Sequence, residues 1–216
     1  MPEETPPEGE PTKAQPIEAV VFDVGGVLID WNPRHLYRKV FDDEAEMEHF
    51  LTEVCSKDWN DQADAGRPIA EITAELCAQH PDKQPMIESY YARFPEMMSG
   101  AIDGTVTLLE QLHNSGMPLF VLSNFSAETF PHAQRRFDFF ERFSGLLISG
   151  EEGMKKPDPR IYDLVVERFD LRPAHTLFID DLADNTQAAV DAGWQARRFI
   201  SPRQLEEDLR NLGLLG

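Results

Sequence analysis

The chain has 216 residues, of which 41% are hydrophobic, so it is long and apolar enough for one domain with a modest insert. Its formal net charge of -19 disfavours nucleic acid as a partner, because an acidic surface repels phosphate backbones. No apolar run reaches the roughly 18 residues of a membrane span, and two cysteines, Cys55 and Cys77, favour a reducing compartment. We therefore expect a cytoplasmic monomer or homodimer without nucleic-acid or membrane partners.

The first elements in chain order are a polar tail and a buried strand. Residues 1–16 are acidic and proline-rich, and they lack the basic start and apolar stretch of a signal peptide. We predict that they form a disordered tail. Residues Ile17 to Val24 form a run of β-branched and aromatic residues whose acidic positions, Glu18 and Asp23, lie near its two ends, which predicts a buried strand.

Residues 31–100 contain no convincing strand and are predicted to be helical. The segment "PRHLYRKVF" places Leu36, Val40 and Phe41 on one helix face, and "IAEITAELCAQH" repeats such an apolar stripe. A helical insert after a first strand indicates a small all-helical cap. We assign residues 17–30 and 101–216 to the core that it covers.

From about residue 101, strands and helices alternate. The predicted strands are "MPLFVLS", "GLLIS", "HTLFID" and "WQARRFI", and helical patterns separate them. Asp158 and Ser201 are placed to cap two of these helices, and Pro159 suits a first helical position. This alternation predicts an α/β fold, a Rossmann-like parallel sheet covered on both faces.

Polar side chains collect where the predicted strands end, which is the edge where open parallel sheets bind their ligands. Each one taken alone could be an ordinary turn residue or helix cap. Together they form a candidate site. Its members are Asp23, Ser123, Asn124, Asp180 and Asp181 at strand ends, and Lys156 in the loop "EEGMKKPD".

The charges of this group indicate a cation. Two carboxylates about 4 Å apart repel each other by roughly 4 kcal/mol at an effective dielectric constant near 20. Either one of Asp23 and Asp181 is protonated or a cation lies between them. Carboxylate and carbonyl oxygens suit Mg²⁺. A metal, the Lys156 ammonium and the Ser123 hydroxyl together would form a cradle for a phosphoryl group.

Four segments of the chain, in order, resemble the motifs of the haloacid dehalogenase superfamily of hydrolases. They are "FDVGGVL", "LSN", "KKPDPRIY" and "FIDDLADN". The resemblance extends over nearly everything after the tail, with the helical insert in the place of the family's C1 cap. It implies a phosphatase that acts on small phosphorylated metabolites, with sugar phosphates as one candidate class, and with Mg²⁺ as cofactor.

The resemblance also implies roles for individual residues. Asp23 would be the nucleophile that forms an aspartyl-phosphate, and Ser123 and Asn124 would bind the phosphoryl group through a hydroxyl and the backbone. Lys156 would pair with both nucleophile and phosphate, whereas Lys155 is expected to be solvated. Asp181 would be a Mg²⁺ ligand.

The remaining positions of the motifs are less defined. The backbone carbonyl of Gly25 would complete the protein ligands of Mg²⁺, because the family uses a backbone oxygen there. Asp180 stands where relatives often have glycine or another acid. Asn185 falls where many relatives carry a second supporting acid. Whether Asp180 or Asn185 supports the metal stays open at this stage.

Gly25 is also a departure from the family pattern. Family phosphatases usually carry a second aspartate at this position, which acts as general acid to the leaving alcohol, and glycine cannot transfer a proton. Three explanations remain open: the leaving group needs little protonation, a cap residue or water replaces the acid, or the reaction is not phosphate hydrolysis. Some similar phosphatases, including sugar phosphatases, also have glycine here.

Two other functions therefore compete with the phosphatase hypothesis. A 2-haloacid dehalogenase would use Asp23 to attack carbon, and it needs neither a metal nor the second acid. However, true dehalogenases of the family lack the acidic pair found here at Asp180 and Asp181. A non-catalytic binding module on the same fold is the third possibility, and the retained charged motif residues disfavour it.

The cap contributes candidates for substrate contact. Arg34, just after the first motif, is placed to reach a substrate anion or hydroxyl, or else it is a surface charge; His35 is expected to be structural. Asp64 and Arg67 flank Gly66 in a turn before a helix. They are candidates for substrate contact, with capping or surface roles as the alternative.

Overall fold

Seven short strands form within residues 15–216, the part of the chain that the computed structural model describes. In chain order they are β1 (Ala19–Phe22), β2 (Ile29–Trp31), β3 (Met98–Ala101), β4 (Leu119–Ser123), β5 (Gly145–Ile148), β6 (Thr176–Asp180) and β7 (Gln195–Arg198). Five of them build one parallel sheet in the order β5-β4-β1-β6-β7. The predicted parallel α/β sheet is confirmed.

The register of this sheet brings the predicted site together. Phe22 of β1 lies beside Val121 of β4 on one side and Ile179 of β6 on the other. The three strands therefore end at the same edge. Asp23 directly follows β1, Ser123 is the last residue of β4, and Asp180 is the last residue of β6. Each lies within two residues of the paired positions.

The helices cover both faces of the sheet. They are α1 (Arg34–Tyr37), α2 (Glu44–Glu53), α3 (Lys57–Asp64), α4 (Ile69–Gln79), α5 (Gln84–Ala92), α6 (Asp103–Asn114), α7 (Phe130–Arg136), α8 (Ser149–Glu152), α9 (Pro159–Phe169), α10 (Ala183–Asp191) and α11 (Pro202–Asn211). Val20 and Phe22 contribute to the core on the side of α6 and α11, and Ala19 and Val21 to the core on the side of α9 and α10. Alternate residues of β1 thus face opposite layers, as a two-sided buried strand requires.

Two predicted helix caps are confirmed. The Asp158 side chain accepts a hydrogen bond from the backbone N–H of Arg160 at the start of α9, where Pro159 occupies the first turn. The Ser201 side chain accepts one from the backbone N–H of Gln204 in α11. These bonds satisfy N–H groups that the helix itself leaves without partners.

The insert is helical between Arg34 and Met97, in α1 to α5 and short 3₁₀ turns. The prediction of helices alone needs a correction at both ends of the insert, because Trp31 and residues 98–100 lie in an antiparallel ribbon of β2 and β3. The segment "MSGA" of β3 carries no alternating apolar pattern of its own. It is a strand because β2 pairs with it across the insert, which no local pattern reveals.

The start of the core also differs from the sequence-based boundary. Residues 1–14 of the predicted tail lie outside the described residues. Gln15 and Pro16, however, accept hydrogen bonds through their backbone carbonyls from the side chains of Gln195 and His175. The core therefore begins at least two residues earlier than predicted. Within residues 15–216, no helix has the length and apolar character needed to cross a bilayer.

The loop that follows β4 is held against α8 by a close backbone approach at Gly150. The backbone N–H of Gly150 donates to the carbonyl of Phe125 over 3.0 Å. A Cβ atom on Gly150 would lie 2.5 Å from the backbone nitrogen of Ala127 and 2.8 Å from the carbonyl oxygen of Phe125. Only glycine permits this approach, which fixes the loop directly after Ser123 and Asn124.

Gly150→Ala is therefore expected to destabilise the protein by about 1–3 kcal/mol, the usual cost of overpacking. The direction is informative, because alanine in a helix is otherwise favoured over glycine by up to about 1 kcal/mol. Gly100→Ala is the matched control, since a Cβ there meets no atom within 4 Å. Denaturant unfolding of both variants measures the difference. Equal stability of Gly150→Ala and wild type would contradict the close approach.

Candidate active site

Asp23 lies at the end of β1 with its carboxylate held by two donors. Its Oδ1 accepts a hydrogen bond from the backbone N–H of Val24 over 2.7 Å, and the Lys156 Nζ lies 2.9 Å from the same oxygen. The side chain is buried, with the residue 7% exposed. One carboxylate oxygen is thus fixed by the protein, and the residue lines a cavity above the sheet edge.

Lys156 is a fully buried ammonium with three acceptors. Its Nζ lies 2.9 Å from Asp23 Oδ1, 2.7 Å from Asp180 Oδ2 and 2.9 Å from the carbonyl oxygen of Leu122. Burial by itself would lower the pKa of Lys156, but the carboxylates of Asp180 and Asp23 outweigh it and raise that pKa. The three N–H groups are all engaged, so contact with a phosphate would require Lys156 to exchange one of these bonds.

Asp180 holds Lys156 in place through an ion pair. Besides the ammonium, its carboxylate accepts the backbone N–H of Leu182 over 2.8 Å and the Asn185 side-chain amide over 3.0 and 3.1 Å. The side chains of Asp180 and Asn185 are both buried. The amide of Asn185 is thus used to hold Asp180, a function that the motif alone did not define.

Asp181 lies close to the turn that follows Asp23. Gly26 in this turn has a φ of +74°, and a Cβ on it would lie 2.7 Å from Asp181 Oδ2. Glycine is required at position 26 for both the backbone angle and the space. The close approach places the Asp181 carboxylate directly beside the turn of the first motif.

Carboxylate oxygens of Asp23, Asp180 and Asp181 all lie within 4.8 Å of one another. Burial raises the pKa of Asp23 to about 7, with further contributions from Asp180 and Asp181 that the Lys156 ammonium opposes. Burial and the charge of Asp180 also raise the pKa of Asp181. One ammonium does not balance three clustered carboxylates. The residues therefore fit a hard cation, which would relieve this repulsion through oxygen ligands.

Gly25, whose carbonyl the family resemblance suggests as a metal ligand, lines the same cavity as Asp23 and Asp181. The flanking hydrogen bonds run from Ile29 N–H to the Val24 carbonyl and from Gly26 N–H to the Ile29 carbonyl, so neither uses the carbonyl of Gly25. Its φ is not in the left-handed region, and within residues 15–216 no atom lies within 4 Å of a Cβ built on it. The position that lacks the family's acid is open space.

Ser123 is the last residue of β4 and Asn124 follows it, but their side chains have different surroundings. The Ser123 hydroxyl is buried and has no hydrogen-bond partner within residues 15–216. Such a group is costly unless something supplies a partner, and a bound anion would. The Asn124 side chain instead bonds both backbone groups of Lys156, at 2.8 and 2.9 Å. Its side chain thus positions the lysine, and only its backbone is left for a phosphoryl group.

A cavity of about 430 Å³ lies between core and insert. Its core side includes Asp23, Gly25, Asn124 and Asp181, while Ser123, Lys156 and Asp180 are buried beneath this surface. Six apolar or weakly polar residues form much of the remaining wall: Trp31, Leu51, Cys55, Tyr90, Phe94 and Phe125. The enclosed volume suits a small molecule.

The cap candidates from the sequence divide between cavity and surface. Arg34 lines the cavity, but its guanidinium makes two bonds of 2.5 Å to the carboxylate of Glu48. His35 pairs with Asp30 over 3.1 Å, in agreement with a structural role. Arg67 pairs with Glu75 and does not line this cavity.

The sequence singled out Asp64 of α3 as a candidate for substrate contact, but it assigned no role to Asn60 and Asp61 of the same helix. Asn60, Asp61 and Asp64 all line the cavity, and Asp64 is buried rather than on the surface. Lys155 is only partly exposed and donates to Asp61 over 3.0 Å, which corrects the expectation that it is solvated. The two acids and two amides in "NDQAD" were a visible signal in the sequence. Which of these side chains face the active site depends on how the cap docks on the core, and the sequence does not show that.

Comparison with known proteins agrees with this arrangement. A family model described as haloacid dehalogenase-like hydrolase matches residues 17–193. The sesquiterpene phosphatase astK of Aspergillus oryzae is 29% identical over 180 residues, which cover 82% of this chain and 86% of the relative. That relative thus aligns over both the core and the insert.

Solved structures share the fold. A HAD family enzyme of Bacteroides thetaiotaomicron, solved as a magnesium complex, has a TM-score of 0.69 at 20% identity, covering 91% of this chain and 100% of the other. An L-2-haloacid dehalogenase of Xanthobacter autotrophicus has a TM-score of 0.60 at 16% identity, covering 90% and 83%. The fold alone therefore does not distinguish a phosphatase from a 2-haloacid dehalogenase.

The family match extends over most of the chain, and Asp23, the buried lysine and the acidic pair all meet at one sheet edge. The sequence-based recognition is confirmed: this chain is an enzyme that belongs to the haloacid dehalogenase-like hydrolase family.

Proposed function

We propose that the protein is a Mg²⁺-dependent phosphatase of small phosphorylated metabolites, with Asp23 as its nucleophile. The observation that carries this proposal is the cluster of three carboxylates around one buried ammonium, next to the unpartnered hydroxyl of Ser123. An excess of negative charge suits a site that holds a metal and a phosphoryl group together. The same excess would repel an anion bound without a metal.

The geometry supports a two-step reaction. Asp23 Oδ1 is held by Val24 and Lys156, which leaves Oδ2 to attack phosphorus. A P–O bond forms to Asp23 as the P–O bond to the alcohol breaks, and its electron pair leaves with the alcohol oxygen. Water then attacks phosphorus, phosphate departs, and the carboxylate is restored. Lys156 offsets the charge of the Asp23 carboxylate, and the Ser123 hydroxyl donates to a phosphoryl oxygen.

Asp23, Asp181 and the carbonyl of Gly25 are the residues that would hold Mg²⁺. Bound there, the ion would neutralise charge on the phosphoryl oxygens. Asp180 is less suited to a ligand role, because Lys156, Leu182 and Asn185 already engage its oxygens. We assign it to positioning Lys156.

The alternative of a 2-haloacid dehalogenase has support from the shared fold. The charge of the site argues against it, since a second carboxylate beside Asp23 would repel both the nucleophile and a carboxylate substrate. At about 4 Å this repulsion is roughly 4 kcal/mol at an effective dielectric constant near 20. The non-catalytic alternative does not survive the family assignment.

The cavity wall indicates the alcohol part of the substrate. The apolar residues around it, among them Trp31, Tyr90 and Phe94, favour an apolar or aromatic group over the hydroxyl-rich surface of a sugar. The A. oryzae relative is named for an apolar class, the sesquiterpenes.

We place the enzyme in the cytoplasm as a monomer or homodimer, in keeping with its two free cysteines.

Asp23→Asn is expected to lower kcat by about 10³-fold or more, because the isosteric amide is a poor nucleophile. Steady-state hydrolysis of an aryl phosphate measures the effect, with circular dichroism to verify folding. Asp191→Asn, at an exposed site in α10, serves as control and should keep full activity. Retention of more than a few per cent of wild-type activity in Asp23→Asn would remove Asp23 from the nucleophile role.

Chelation with EDTA should abolish phosphatase activity, and added Mg²⁺ should restore it. Asp181→Ala should weaken Mg²⁺ affinity at least about tenfold, a change worth about 1.4 kcal/mol, because one hard oxygen ligand is lost. Calorimetric titration of wild type, Asp181→Ala and the Asp191→Ala control measures this directly. EDTA-resistant release of halide from a 2-haloacid would instead favour the dehalogenase.

A panel of phosphomonoesters tests the substrate class. The apolar wall predicts that prenyl and aryl monophosphates have kcat/KM at least about tenfold above those of hexose phosphates, equal to about 1.4 kcal/mol of selective binding. Leu51→Asn places an amide in the cavity wall. It should lower the ratio of kcat/KM for prenyl and aryl monophosphates to kcat/KM for hexose phosphates. A preference for hexose phosphates would contradict the apolar assignment while leaving the phosphatase proposal intact.

A further inference from the structure

Asp64 is a buried acid of the cap that the reaction described above does not use. It is the last residue of α3 and lines the same cavity as Asp23 and Gly25. Its backbone is tied to the core, because the Ser149 hydroxyl donates to the Asp64 carbonyl over 2.5 Å. The same hydroxyl accepts the backbone N–H of Phe125 over 3.0 Å, two residues after Ser123. Asp64 is thus anchored beside the loop that follows the phosphate-binding residues.

The carboxyl group of Asp64 is also oriented. Asn60 Nδ2 donates to Asp64 Oδ2 over 3.0 Å, and the Tyr91 hydroxyl donates to Asn60 Oδ1 over 3.1 Å. Asn60 is itself buried. This chain of bonds fixes the side chain against the cavity wall, as a group that must meet a substrate atom requires.

Gly25 has no side chain that could protonate the leaving alcohol, and among the described residues no atom lies within 4 Å of a Cβ built there. We propose that Asp64 is the general acid of this enzyme, which protonates the leaving alcohol from the cap side in place of a second aspartate at position 25. The inference rests on the proposed phosphatase function. It identifies which residue does the work that the missing aspartate does in related phosphatases.

Over the two steps, Asp64 donates one proton and accepts one back. As the P–O bond to the alcohol breaks, the leaving oxygen takes the proton from the Asp64 carboxyl, and Asp64 becomes a carboxylate. In the second step that carboxylate accepts a proton from the water that attacks phosphorus. Each turnover thus returns Asp64 to its protonated form, and no further reactant is needed.

The protonation state of Asp64 suits this role near neutral pH. Burial raises the pKa of Asp64 to about 7, and the charge of Asp61 adds to the effect, whereas Lys155 and Lys57 oppose it. The titratable groups around it come from α3, α5 and a neighbouring core loop: Lys57, Asp61, Tyr90, Tyr91 and Lys155. An acid with this pKa is protonated below pH 7 and loses its proton above it.

The test is a series of aryl and alkyl monophosphates that spans a range of leaving-group pKa. Wild type should show a shallow dependence of kcat/KM on that pKa, because a donor neutralises the departing oxygen. Asp64→Asn should lose about 10²-fold or more on alkyl phosphates and little on nitrophenyl phosphate. Asp58→Asn, at an exposed site of the same helix, is the control and should keep the wild-type slope.

Two further readouts separate proton donation from a structural role. For alkyl phosphates, wild-type kcat/KM should fall with rising pH on the alkaline side of about pH 7, where Asp64 loses its proton. The acidic side of the profile reports Asp23, whose pKa is also raised to about 7. Only the alkaline fall in kcat/KM should be absent in Asp64→Asn. Gly25→Asp introduced into Asp64→Asn should restore alkyl phosphate hydrolysis, since the described residues leave at least 4 Å around a Cβ at this position. Rescue by an acid at another position is not expected if Asp64 only supports the fold.

Each failure has a distinct meaning. A steep slope in the wild type, with chemistry rate-limiting, would overturn the assignment of Asp64 even if the variant did not fold. Equal losses on all substrates in Asp64→Asn, without rescue by Gly25→Asp, would also overturn it. Absence of Mg²⁺-dependent hydrolysis of any phosphomonoester by wild type would instead defeat the proposed function itself.

Discussion

The buried ammonium of Lys156 is the interaction on which the site depends. Removing such a charge from water costs several kcal/mol unless acceptors surround it, and here Asp23, Asp180 and the Leu122 carbonyl all do so within 2.9 Å. These acceptors belong to the ends of β1, β6 and β4. The lysine therefore binds the three central strands together at their carboxyl edge, and it fixes Asp23, the proposed nucleophile, in the same contact.

The residues around Lys156 extend this constraint outward. Asn185 and Leu182 hold Asp180, and Asn124 holds the backbone of Lys156 through two bonds. Three carboxylates nevertheless remain against one ammonium. That surplus supports a resident cation, and a cation supports phosphoryl chemistry over attack on the carbon of a carboxylate substrate. The electrostatics of the site and its proposed function thus have one origin.

The sequence was sufficient for the sheet and for most of the site because both follow from local patterns. Apolar runs that end in Asp23, Ser123 and Asp180 predict strands and place their polar ends at one edge. The ribbon of β2 and β3, the burial of Asp64 and the bond from Lys155 to Asp61 were not predictable. Each depends on how an insert of some 70 residues docks on the core, and docking leaves no periodic signal in the chain.

The most direct test of the central claim is a rapid-quench experiment with a phosphomonoester labelled in its phosphoryl group. The account predicts that label accumulates on the protein within the first turnover and, after proteolysis, is found on the peptide that contains Asp23. The modified residue should be cleaved by hydroxylamine, as an acyl phosphate is. Release of labelled phosphate at the full steady-state rate, with no protein-bound label on Asp23 at any quench time, would contradict the account.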